Sequence, residues 1–233
     1  LVLTPGSAPA TTEGAIYYDS TSDILKIYNG VAWKEVHQEK VKATGGNITI
    51  AQIDNVTYAV HTFLTSGSFI PRESLTVDWL VIAGGGGGAQ GYRAGGGGAG
   101  GYRCSVDGEK SGGDSSTDEA ALSVTAITYT INVGAAGAAG DNNGTSGQIT
   151  LGGTGGVSSI VGSNITDVTT VGGGGGGGSW VLNAPGATGG SGGGCSTAQG
   201  STVGRTGAAG NAGGYSPVEG YKGGDKYDGS YRQ

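Results

Sequence analysis

The chain has 233 residues, of which 54 are Gly, 11 Tyr, 3 Trp and 2 Cys, with no Met and a net charge of −6. Clustered glycine with only 5 Pro excludes a collagen triple helix, and modest charge with aromatic and β-branched stretches argues against disorder. The acidic balance argues against nucleic acid, whose phosphates need concentrated Lys and Arg, and no apolar stretch approaches the roughly 20 residues of a membrane span.

A soluble, folded protein of one or two domains is therefore expected, and the lack of any Met reads as a processed product or a piece of a longer one. Residues 1–12 are rich in Pro, Ala, Ser and Thr and read as an extended arm. Short strands follow at 14–18 and 24–28, around a turn-prone Asp19-Ser20-Thr21-Ser22-Asp23, and Asn29-Gly30 is a two-residue hairpin signal into 31–36. One apolar face, from Ile16, Leu25, Ile27 and Trp33, is too small to stand alone, so this meander is expected to pack in an oligomer or on its neighbour.

Strands continue at 47–50, 57–63, 68–70 and 77–83. From Trp79 onward both faces of the last are apolar, which predicts a central strand. It runs directly into the glycines of 84–88. A long strand at 123–133 likewise runs into 134–140, and strands near 149–151, 158–161 and 164–171 precede the longest run, 172–178. The recurrence of strand, glycine run and return is a weak internal repeat. The best helix candidate, 118–122, is one turn.

Each ordered glycine costs about 1 to 2 kcal/mol of backbone entropy, so the seven-residue run alone costs on the order of 10 kcal/mol with no side chain to bury. A strand that continues into glycine can proceed as a polyproline-II-like helix without internal hydrogen bonds. Its N–H and C=O groups must then pair with neighbouring chains, which glycine allows to approach closely. The expected fold is all-β: an attachment or oligomerisation module at 1–40 with an extended arm and β-meander, then a β-sandwich-like domain at 41–233 whose strands continue into packed polyglycine-II-type helices. The run 172–178 is expected to pack on at least two other glycine-rich segments.

Several motifs imitate chemistry. Gly86, Gly88 and Gly91 satisfy G-x-G-x-x-G after an apolar strand, with Asp107 downstream, as Gly95, Gly97 and Gly100 also satisfy it. The pyrophosphate site needs a helix N-terminus there, and Tyr92-Arg93-Ala94 followed by four glycines opens none. Gly189-Gly190-Ser191-Gly192-Gly193 matches a serine-hydrolase elbow without its helix, and the two histidines, His37 and His61, lie in strand candidates. Asp141-Asn142-Asn143-Gly144 lacks the later ligands of a calcium loop. No catalytic, cofactor or metal residues are expected.

Cys104 and Cys195 read either as separate thiols or as a disulfide closing about 90 residues. Tyr92, Tyr102, Trp180, Tyr215, Tyr221 and Tyr227 are the surface-recognition candidates: they cap the glycine bundle or, exposed in clusters, suit sugars and protein surfaces. Asn47, Asn55, Asn143 and Asn164 head N-x-S/T sequences that matter only in a glycosylating host.

Ala8-Pro9-Ala10, with residues 13–19 and 25–33, resembles a short module of bacteriophage tail-fibre and other virion proteins. Residues 58–63, Val77-Asp78-Trp79-Leu80-Val81-Ile82-Ala83-Gly84, Gly100-Gly101-Tyr102-Arg103 and Tyr129-Thr130-Ile131-Asn132-Val133-Gly134 resemble the glycine-rich domain of phage and marine-microbial surface proteins. The charged, Tyr-rich end 221–229 departs from the glycine and asparagine repeats usual there. The resemblance implies glycine helices of the kind found at phage adhesin tips, and no catalysis. The expectation is a non-enzymatic tail fibre or adhesin on a virion surface or otherwise extracellular, presenting loops to a host cell-surface glycan or protein. It would work as a homo-oligomer or within a larger virion or filament assembly, without nucleic acid or membrane insertion. The alternatives are an extracellular filament subunit and a capsid decoration protein.

Overall fold

A computed structural model describes residues 10–21, 24–36, 41–91, 94–113, 117–141, 151–178, 185–196 and 206–225. Among them there is no helix, and the fold is all-β with antiparallel pairing throughout. The chain divides into two compact units, Leu1–Lys42 and Ala43–Gln233.

In the first unit, β1 (Ile16–Asp19), β2 (Ile24–Tyr28) and β3 (Trp33–Glu35) form the meander. The Asn29-Gly30 turn is longer than a two-residue hairpin, because Tyr28 pairs with Trp33 and the connection is Asn29 to Ala32. The Asn29 carboxamide explains this, since its Oδ1 accepts from the N–H groups of both Val31 and Ala32. Register also splits the expected apolar face. Ile16, Leu25 and Ile27 share one side, whereas Trp33 lies on the other, with Tyr17 edge-on at 4.6 Å and Tyr28 at 5.4 Å. On that side Lys26 donates to Asp19 at 2.7 Å, which holds its amine above the ordinary range. No described residue of 10–36 is fully buried.

The second unit carries a five-stranded sheet in the order β14-β13-β12-β7-β4: β4 (Ala43–Thr44), β7 (Gly67–Pro71), β12 (Tyr129–Asn132), β13 (Ser158–Val161) and β14 (Val168–Thr170). Three two-stranded ribbons accompany it. They pair β5 (Asn47–Ile53) with β6 (Val56–Thr62), β8 (Leu75–Val77) with β11 (Leu122–Val124), and β9 (Leu80–Ile82) with β10 (Tyr102–Cys104). The core is Trp79, Val81 and Val168, with Leu122 and Ile160 packed against it.

Two expected strands break. The 77–83 stretch interrupts at Trp79, whose N–H donates to the Ser105 hydroxyl instead of a ladder carbonyl. Beyond it Trp79, Val81 and Ala83 are buried while Leu80 and Ile82 are half exposed, so β9 is a two-stranded ribbon member and not a central strand. The 123–133 stretch divides into β11 and β12, and the buried Tyr129 hydroxyl accepts the Thr125 N–H at the break and donates to Asn164. The one-turn helix at 118–122 is not formed: Glu119 N–H bonds the Cys104 carbonyl and Leu122 opens β11.

Beyond β9, β10, β12, β13 and β14 the chain runs as glycine-rich segments that bond one another in steps of three. Gly84 and Gly87 donate to Gly156 and Gly153; Gly95, Gly98 and Gly101 donate to Gly177, Gly174 and Val171; Gly173 and Gly176 donate to Gly84 and Gly87. A β-ladder repeats every two residues, and these contacts do not. None of the glycines of 84–88, 95–98 and 172–178 has positive φ. Glycine is needed here because it lacks a Cβ.

The run 172–178 is buried throughout. It exchanges bonds with 84–87, 95–98, 152–155, 187–190 and 191–194, in keeping with the expectation of at least two. An added Cβ would collide with backbone on faces that rotate with the same period: Gly172 and Gly175 toward Gly155 and Gly152, Gly173 and Gly176 toward Gly98 and Gly95, Gly174 toward Ala187.

Candidate functional site

The strands and glycine segments give the second unit two ends of different chemistry. At the β end, Arg103 of β10 donates through Nε (2.8 Å) and Nη2 to the two carboxylate oxygens of Glu119 and through Nη1 to the Thr169 carbonyl (2.6 Å). Its guanidinium lies 4.2 Å from the Tyr215 ring centroid and 5.9 Å from that of Trp79. Glu219 is fully buried. Its Oε2 accepts from the Thr170 hydroxyl (2.7 Å) and Val171 N–H (2.8 Å), and its Oε1 from Gly213 N–H (3.2 Å). Asn211, at positive φ, accepts through Oδ1 from the N–H groups of Tyr215 and Glu219 and so shapes the turn that delivers the carboxylate.

These groups are saturated by one another. The Glu119 bond holds the Arg103 guanidinium further above its ordinary value. Burial, and next the bond to Glu109, pushes the Tyr102 phenol up. Burial followed by the Glu219 charge does the same for Tyr215, and burial raises the Cys104 thiol. Each is thereby held in one protonation state at neutral pH. No buried side-chain polar atom among the described residues lacks a hydrogen bond, and no described cluster of His, Cys, Asp and Glu could hold a metal ion. The cluster joins β10, β14 and the 211–219 turn at the point where glycine segments begin.

At the far end the segments reverse. Ala89 N–H bonds Gly95, Gly140 bonds Gly88, Gly95 bonds Gly177, Gly177 bonds Gly194 and Cys195 bonds Gly224, so these chain positions lie level with one another. Gly207 N–H donates to Asp225 Oδ1 (2.6 Å) at the same level, and Lys222 pairs with the other oxygen (2.7 Å). These two bonds hold the Asp225 carboxyl below the usual range. The described residues flanking 92–93, 142–150, 179–184 and 197–205 therefore lie at one end of the bundle, together with 224–225.

The expected recognition residues divide between the ends. Tyr102 and Tyr215 belong to the β end and are partly buried in its polar cluster. Tyr221 is exposed on segment 220–224. Tyr92, Trp180 and Tyr227 lie outside the described residues, as does His37. His61, in β6, engages the Gly45 carbonyl through Nδ1 and stacks edge-on against Phe69. Ser191 lies at the bend of 189–191, its N–H bonded to Ala99, and no helix follows among the described residues. The segment after Gly86 and Gly88 likewise opens no helix among the described residues.

No disulfide joins Cys104 and Cys195. Cys104 follows Gly101 at the β end, whereas Cys195 follows Gly194, which bonds Gly96. About five extended residues, on the order of 15 Å, separate these levels, and a disulfide needs Cα atoms within about 7 Å. The Arg103, Glu119 and Glu219 cluster carried no sequence signal, because its members are far apart in the chain and follow no spacing rule.

No helix among the described residues is long and apolar enough to cross a membrane. No curated protein and no solved structure matches the chain. A family model described as a glycine-rich domain matches residues 63–233, spanning the glycine segments and most of the strands that feed them, and the chain belongs to that family.

Proposed function

We propose that this protein is a non-enzymatic component of a virion surface, a tail fibre or adhesin, that works as an assembly and presents its far-end connections to a host cell surface. The observation that carries this reading is that the described flanks of four connections lie level at one end of a bundle whose central segment, 172–178, has no side chains. Recognition then falls to the connections. Of the recognition candidates, Tyr92, Trp180 and Tyr227 have amphipathic rings suited to a glycan or a protein patch. In this reading the glycine segments are polyglycine-II-type helices, for which the bonding step of three and the absence of positive φ are the support. Rigid glycine rods would hold the connections at fixed spacing without a bulky core.

The test is binding of the fluorescently labelled full chain to a panel of intact bacterial strains. Saturable binding to a subset is expected, weakened at least tenfold by combined Tyr92→Ser and Trp180→Ser with an unchanged unfolding temperature. Absence of binding to every strain overturns the adhesin reading. Regular polymers or a capsid-bound lattice in electron micrographs would then identify a filament subunit or a decoration protein.

A further inference from the structure

The β5–β6 ribbon is the most unusual surface of the second unit. Its strands pair without a bulge from Asn47 opposite Thr62 to Ile53 opposite Val56, and close on Asp54 and Asn55, both at positive φ, as a tight hairpin turn requires. Neither strand pairs with any other described strand. Cross-strand register sorts its side chains into two faces. Ile48, Ile50 and Ala59 occupy one; Ile53, Val56, Tyr58 and Val60 occupy the other.

Both faces are open: Ile50 and Ile53 are each 55% exposed, Val56 51%, Val60 43% and Tyr58 42%. Natural edge strands are blunted by Lys, Pro or bulges. Here none occurs, and Asp54 at the turn is the single Asp, Glu, Lys or Arg of 47–62. The root is anchored by His61 to the Gly45 carbonyl and by the His61–Phe69 ring contact, so the ribbon is held in place and is not a loose flap. At that root a depression of about 310 Å³, lined by Phe63, Leu64 and Gly67 among others, extends the open surface.

We propose that this ribbon joins copies of the chain to one another, the Ile48/Ile50 face of one copy packing on the Tyr58/Val60 face of the next in an assembly of three or more. Three physical arguments select a second copy. First, a hetero-partner or a two-fold contact covers one face, whereas a head-to-tail contact between identical copies uses both. Second, one face of a seven-residue ribbon measures about 23 Å by 10 Å, near 230 Å², against about 800 Å² per partner in a standard interface. In a head-to-tail assembly each contact engages one face per copy, so a single pairing is small and closure into a ring, which holds every copy through both faces, stabilises the assembly. Third, a chain of net charge −6 repels its copies except where they meet through an uncharged surface, and the ribbon is such a surface. The inference rests on the assembly part of the reading above and assigns that assembly an element.

The experiment is mass measurement by light scattering on the full chain, alone and as two variants, Ile50→Lys and Val60→Lys, one on each face. Both side chains are exposed, and circular dichroism verifies that the fold is retained. The wild-type chain is expected at three or more copies and each variant as a monomer. An equimolar mixture of the variants should give nothing larger than a one-to-one heterodimer, because each keeps only the face the other lacks. If the wild type assembles and both variants keep its mass, the ribbon assignment fails while the assembly reading stands. A wild-type dimer overturns the head-to-tail contact. A wild-type monomer whose ribbon amides resist deuterium exchange shows that the chain covers its own ribbon and overturns both, as does an unprotected monomer.

Discussion

At the β end of the second unit, Trp79, Val81 and Val168 are buried with Leu122 and Ile160 packed around them, whereas in the bundle residues 172–178 are buried with no side chain at all. The first region is stabilised as most domains are, by removing apolar surface from water at about 25 cal/mol per Å². The second has only peptide groups to bury, and an unpaired buried N–H or C=O costs about 1 to 3 kcal/mol. Its stability therefore depends on complete pairing, which the three-residue bonding step provides by turning successive peptides toward different neighbours. The two regions should differ in what they tolerate. A side-chain core accepts substitutions that conserve volume; a backbone lattice accepts no added atom.

The largest effect should come from one methyl group placed in that lattice. Gly175→Ala puts a Cβ onto the Gly152 carbonyl, and the neighbouring segments must part to admit it. A loss of about 3 kcal/mol or more is expected in urea unfolding. Gly96→Ala is the matched comparison, since a Cβ there meets nothing within 4 Å and should change stability by less than about 0.5 kcal/mol. Equal effects at the two positions would mean that the bundle is not close-packed, and the contrast between the regions would collapse.

Glu219 tests the seam where the regions meet. Glu219→Ala leaves the Thr170 hydroxyl and the Val171 and Gly213 N–H groups without their acceptor in a buried place, for an expected loss of about 3 kcal/mol. Glu219→Gln retains one acceptor oxygen and should cost less. Thermal unfolding of the two variants would give the order, and a harmless alanine would show that the carboxylate does not hold the 211–219 turn to β14.

The smallest effect belongs to the far end. The Asp225 carboxyl is held below its ordinary range by Lys222 and the Gly207 N–H, so its contribution is present above the unfolded carboxylate range and lost as pH falls through the folded value. Because the group is exposed, the shift in acid unfolding midpoint should be slight. Asp225→Asn should remove it and flatten the acid limb of the stability profile. An unchanged limb would uncouple 207 from 225.

The glycine runs were legible as packed backbone from an entropy argument on residues 172–178, and the meander from its spacing of apolar residues and turns. Strand lengths were less so. Apolar patterning ran 77–83 and 123–133 together, because a hydroxyl acceptor such as Ser105 Oγ or Tyr129 Oη, brought from elsewhere in the chain, can end a ladder without any local breaker. Of the candidate recognition residues, Tyr102 and Tyr215 lie partly buried at the β end, bonded to Glu109 and stacked on Arg103 respectively, since aromatic identity does not reveal which end of a segment a residue occupies.

By itself the amino-acid sequence determined the all-β class and the need for close-packed glycine, because periodicity, composition and backbone entropy are local quantities. Tertiary structure alone decided that Trp33 and Ile16 face opposite ways, that Arg103 meets Glu119, that Cys104 and Cys195 stand apart, and that the flanks of four connections lie level at one end. Register and segment pairing are set by which distant peptides satisfy one another. In a run of identical glycines the sequence holds no mark of which neighbour each one will choose.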